Sequence, residues 1–352
     1  MIMRTIKNLL LIFLLLAVAG LLLVSCTPGA VPSGTPNPET PVAVLPSATP
    51  MPQPTATTQP GRVLLVAPAG ADVQAAQAAL AELSGTAGLI LETRAGLQKE
   101  ELTPDVRVVV SLDAPLNLAE IAAAAPQTQF IAVSSVDLPA AGNLTVIRER
   151  PEYQAFIAGY ISALLSTDYR AGALLPGDGP LGASLQEAFT NGARYFCGVC
   201  APGYPLNVYY PQIAALPSAS DGPAWQAAAA GMFDNQKVEV YYLSAEAVRP
   251  EVIAYLQDRV QFDKTLLVVG DQSPPDALKA QWAATVRYDV VSGLRQVWPD
   301  VTAGKGGAVL EAAIIAENPT KGLVGEGRMR LVENLIAEIK AGRIVPFSVP
   351  RE

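Results

Sequence analysis

Residues 144–180 read LTVIRERPEYQAFIAGYISALLSTDYRAGALLPGDGP, and their pattern decides the fold class. The apolar run LTVIR ends a strand, an amphipathic helix follows, and AGALL begins another strand. Within the helix, Gly159 stands among the large apolar residues Phe156, Ile157 and Tyr160, which allows a neighbouring backbone to approach closely. Strand, helix and strand in this order form a βα unit.

The same rhythm extends in both directions. Candidate strands fall at 63–67, 88–92, 106–111, 129–134 and 144–148, and again at 171–175, 208–210, 238–243, 265–270 and 284–287. Runs such as VLLVA, VRVVVS and TLLVVG are apolar throughout, the signature of strands buried on both faces. Alanine-rich helical segments at 72–83, 118–125, 152–166 and 181–195 separate them. Repeated βα units predict α/β lobes with mostly parallel sheets, right-handed crossovers and ligands beyond the carboxyl ends of the strands. Two sets of about five strands predict two lobes; the first is expected at about 61–167, with a returning segment at about 283–305. The second lobe is expected at about 168–282 plus the C-terminal part.

The chain begins with Arg4 and Lys7 ahead of a 16-residue apolar run, residues 9–24. That run is shorter than the roughly 20 residues of a spanning helix and fits a secretory signal of 25 residues. It ends in Leu23-Val24-Ser25-Cys26, which resembles a bacterial lipobox, so Cys26 is the expected site of lipidation; a plain membrane anchor is the alternative. Residues 27–60 contain ten prolines and no aromatic residue, too little apolar surface to fold, and read as a disordered tether. On either reading the remainder faces outward from the cell membrane.

Residues 1–25 hold two of the 24 basic residues and no acidic one, leaving 22 basic against 32 acidic, a net charge of −10. Such a surface offers little to nucleic acid. The chain has no histidine, which removes Ser-His-Asp and Cys-His catalysis and every histidine metal site. Of its three cysteines, Cys197 and Cys200 form a Cys-x-x-Cys after the helix at 181–195. A redox pair opens a helix, where the dipole favours thiolate, so a thiol oxidoreductase is disfavoured. Two thiols alone also make a poor metal site. Outside the cytoplasm a local disulfide between them is the expectation, clipping the turn.

Further stretches carry a resemblance. After the segment at 144–180 come Phe189-Thr-Asn-Gly192, a helix and strand at 221–240, Val268-Val-Gly-Asp271-Gln272, and a closing helix and strand at 334–346. Their order and spacing over residues 61–350 are similar to the basic membrane protein family of substrate-binding lipoproteins. The resemblance implies a two-lobed type 1 periplasmic-binding-protein fold, a purine nucleoside or related polar solute as ligand, delivery to an ABC permease, no cofactor and no catalysis.

It also implies site residues. Asp271 sits where the family binds ribose, although the following Ser273-Pro274-Pro275 also suits a helix N-cap. Arg287 stands where the family has a lysine, or is a surface arginine at a strand end. Tyr242 aligns with a base-stacking aromatic, or is core; Trp225 opens a helix and either faces the cleft or packs. In the first loop Asp72 stands without the family's stacking phenylalanine. Glu246 brings a carboxylate where the family has Gly-Gly, and Asp113 and Asn117 flank Leu116, where an acid is expected. Losing a stacking ring should cost about 1–3 kcal/mol. A sensory or interaction module on the same fold is therefore the alternative function.

Overall fold

Helices cover both faces of the strands, which is why their sequences are apolar without alternation. A computed structural model describes residues 60–67, 73–201 and 208–347, all within one unit spanning Thr57–Glu352. The first lobe contains β1 (Arg62–Val66), α1 (Gln74–Thr86), β2 (Ile90–Arg94), β3 (Val106–Ser111), α2 (Leu118–Ala124), β4 (Gln129–Ser134) and β5 (Leu144–Arg148). Its parallel sheet runs β2-β1-β3-β4-β5. Val63 and Leu65 pack towards α1, while Leu64 and Val66 join the cluster containing Leu118 and Ala122 of α2.

After β5 the chain crosses into α3 (Pro151–Leu165), then β6 (Ala171–Pro176), α4 (Gly182–Cys197), β7 (Gln212–Leu216) and α5 (Gly222–Asp234). β8 (Val240–Leu243), α6 (Pro250–Phe262), β9 (Leu267–Gly270) and β10 (Trp282–Tyr288) complete the second parallel set, ordered β7-β6-β8-β9-β10. The two lobes thus repeat one strand order. Helices α3 and α4 pack backbone to backbone: a Cβ on Gly159 would overlap the Phe189 carbonyl oxygen, and one on Gly192 that of Phe156.

The chain then returns. α7 (Val290–Thr302) buries Leu294, Val297, Trp298 and Val301 in the first lobe, and β11 (Val309–Glu311) extends its sheet parallel to β5. It crosses once more into β12 (Ile314–Glu317), antiparallel to β10, and α8 (Glu326–Lys340) packs on the second lobe. The crossings are tied together. The Tyr288 hydroxyl accepts from Arg150 N (2.9 Å) and donates to Arg150 O, while Asp289 N donates to Ala313 O (2.7 Å). The Arg150 guanidinium donates through two nitrogens to Glu311, both at 3.1 Å.

These contacts correct several expectations. The helix expected in the first lobe, α3, buries Ala155 through Leu165 in the second lobe, and β10 is a strand of the second sheet. The return runs from α7 through β11 instead of 283–305. No strand forms at 208–210; pairing starts at Gln212, just past Pro211, which has no N–H to offer a ladder. No strand follows α8 either among the described residues. Among the described residues no helix is long and apolar enough to cross a membrane. The signal, Cys26 and the tether through residue 59 lie outside the described residues.

Candidate ligand-binding cleft

In each sheet the strand order reverses beside the lobe's first strand, between β1 and β3 and between β6 and β8. Loops at the carboxyl ends diverge there and leave a crevice. Two adjoining compartments, of about 430 and 330 Å³, lie at these ends. Glu149, Gln154 and Asp271 border both. Volumes of this order suit a small metabolite.

Asp271 follows β9. Gly270 before it has no side chain because the Trp282 ring occupies that space, and Trp282 Nε1 donates to Thr285 Oγ1 (2.9 Å). Asp271 Oδ2 accepts from Ala245 N (3.0 Å), whereas Oδ1 is shielded from solvent and has no partner. Burial pushes this carboxyl up to about 7; the Ala245 amide opposes the shift and nearby Glu246 adds to it. The N-cap reading does not hold: the next helical turn, Asp276–Gln281, starts after Pro275, and the Asp271 oxygen serves the turn Ala245–Ala247 instead.

Glu149, which the sequence reading missed, follows β5 at the first crossing. Its backbone N–H donates to Ser134 O (2.8 Å), fixing it to the first sheet. Burial, and then the charge of Asp113, push its carboxyl up to about 7. The signal was in the sequence, because Glu149 ends a buried parallel strand just as Asp271 does. Asp178, after β6, also borders the second compartment. Its Oδ1 accepts from Ser218 N (2.8 Å) and Oγ (2.7 Å), which hold its carboxyl below its ordinary value.

The other expected residues divide. Glu246 borders the second compartment. Arg287 borders the first, with Nε and an Nη bound bidentately to Glu317 (2.9 and 2.6 Å). Tyr242 reaches the second compartment, yet it is only 3 % exposed and its ring stacks on Phe189 at 5.7 Å, so it offers no open face to a base. Trp225 is fully buried with Tyr241, Val252 and Leu256, on a face of the sheet that borders neither compartment, and is corrected to core. Asp113 and Asn117 are exposed and border neither compartment; the charge of Asp113 still reaches Glu149. Asp72 lies outside the described residues. Cys197 ends α4 and is disulfide-bonded to Cys200.

No family model matches the chain, and no curated protein matches it. Solved structures do. An ABC transporter system solute-binding protein from Aeropyrum pernix K1 superposes with a TM-score of 0.63 at 16 % identity, covering 83 % of this chain and 94 % of its own. One from Conexibacter woesei DSM 14684 gives 0.59 at 17 % identity, over 83 % and 99 %. A transcriptional activator of the comK gene from Bacillus halodurans gives 0.60 at 14 % identity, over 81 % and 100 %. At these identities the likeness concerns fold alone, and neighbours with different roles share it. The two sheets, their tied crossings and these neighbours together make this chain a two-lobed α/β protein of the type 1 periplasmic-binding-protein fold.

Proposed function

We propose that this protein is an extracytoplasmic solute receptor, anchored through lipid on Cys26, that delivers a small polar solute to an ABC permease and catalyses no reaction. The observation that carries the reading is the cleft itself. Carboxyls from both lobes, Glu149 and Asp271, border the same two compartments, so a bound solute can hold the lobes together. The basic membrane protein resemblance adds a purine nucleoside as the first solute to try. The ring geometry weighs against a nucleoside, since Tyr242 is stacked on Phe189 and the Tyr288 hydroxyl is committed to Arg150. That same loss of a stacking face favours the second reading, a sensory or interaction module on this fold.

The test is a thermal-shift screen of the full chain in detergent micelles against nucleosides, nucleobases, sugars and amino acids. A ligand at 100 times its dissociation constant should add about 2.7 kcal/mol of stability. A response that vanishes in Asp271→Ala supports the receptor reading. Silence across the panel favours the module.

A further inference from the structure

The charges around the cleft are one-sided. Among the described lining residues Glu149, Asp178, Glu246, Asp271 and Glu317 are acidic, and Arg287 alone is basic. Arg287 and Glu317 neutralise each other in a bidentate pair, and Asp178 is satisfied by Ser218. The Glu149 and Glu246 side chains make no hydrogen bond or ion pair with the described residues. Asp271 Oδ1 is buried without a donor beside both compartments. The unmet need in this cleft is therefore for positive charge and hydrogen-bond donors. Among the described lining residues an anion would face three uncompensated carboxyls and no free cation.

Resting on the receptor reading, we propose that the cleft takes an organic cation, a small solute bearing a protonated amine or comparable group, seated between Glu149 of the first lobe and Asp271 and Glu246 of the second. Among the described residues no three acids stand close enough together to hold a metal ion, so the cation is one with extent, able to reach both walls. The raised carboxyls agree. Burial and the acids beside them, Asp113 next to Glu149 and Glu246 next to Asp271, make ionisation costly while no cation stands between them. A cation from solution would supply the missing partner and draw the walls together, while phosphates and carboxylates would be repelled.

Two matched charge series test this by isothermal titration on the full chain in detergent micelles. One comprises 5′-amino-5′-deoxyadenosine, adenosine and adenosine 5′-monophosphate; the other putrescine, 1,4-butanediol and succinate. In whichever series binds, the cationic member should bind at least about tenfold tighter than the neutral one, and the anionic member not measurably. Glu149→Gln and Asp271→Asn, which keep side-chain shape, should each bring the cation-to-neutral ratio towards one. A neutral or anionic member binding as tightly as its cationic partner overturns the charge proposal and leaves the receptor reading standing. A cation preference that survives both substitutions overturns the placement. Silence from all six compounds overturns the cation proposal and counts against the receptor reading with it.

Discussion

The two walls of the cleft are built differently. The second lobe presents Asp178, Ser218, Glu246, Asp271, Gln272 and the Arg287–Glu317 pair, most of them directly after the carboxyl ends of its strands. The described part of the first lobe presents Ala75, Ala76, Val136, Val290 and Val291, with Ser135 and Glu149 as its polar groups. One wall is thus lined by many polar atoms, and the described part of the other by small apolar side chains, a serine and one carboxyl. On the receptor reading, specificity falls mainly to the second lobe, and Glu149 is the charged contact offered by the described part of the first.

Substitutions can break this asymmetry, the largest effect first. Asp271→Ala should weaken binding of the tightest compound found by about a hundredfold, the loss of a charge-assisted contact in a buried site, read by isothermal titration. Asp271 should also shape stability without ligand. A carboxyl whose folded pKa lies above its unfolded one keeps its proton longer when folded. Its contribution is therefore fully present at low pH and is lost as pH rises from the ordinary carboxylate range towards about 7, levelling off above. Asp271→Asn should flatten that part of the profile and raise stability at pH 8 relative to the unsubstituted chain, read by denaturation across a pH series. An unchanged profile would show that the carboxyl is not held up.

Glu149→Gln should cost about tenfold in affinity, less than Asp271→Ala, because the first wall supplies fewer contacts. The reverse order would invert the division of labour between the lobes. Ser218→Ala, which removes one of two bonds to Asp178, should cost about threefold. Replacing Cys197 and Cys200 by serine should leave binding unchanged and lower the melting temperature by a few degrees. The pair closes only a short loop, worth about 1–2 kcal/mol on chain-entropy grounds.

The strands were legible where two buried faces wrote continuous apolar runs: the expected 106–111, 129–134 and 144–148 match β3, β4 and β5. What periodicity could not say was which sheet a helix covers. Helix α3 follows a first-lobe strand yet buries its apolar side against α4 and α8, because packing between distant segments chooses the partner. Tyr209 and Tyr210 carried strand propensity, but Tyr210 is core packing and the ladder begins beyond Pro211. In the cleft, the family resemblance pointed to Asp271, which follows a buried strand; that strand-end position alone would equally have located Glu149. Neither gave a means of telling that Tyr242 spends its ring on Phe189 or that Trp225 points into the core, since the direction of a side chain depends on neighbours far along the chain.

The late return of the chain has a consequence for how the molecule is made. Until α7 and β11 have been synthesised, the first lobe lacks Leu294, Val297 and Trp298 from its core and has an unpaired β5 edge. The second lobe likewise waits for β12 and α8. Neither half can be cut free at the crossings without exposing apolar surface. Each lobe's core therefore depends on chain that lies beyond the other lobe in sequence, a long-range pairing of the kind that slows folding.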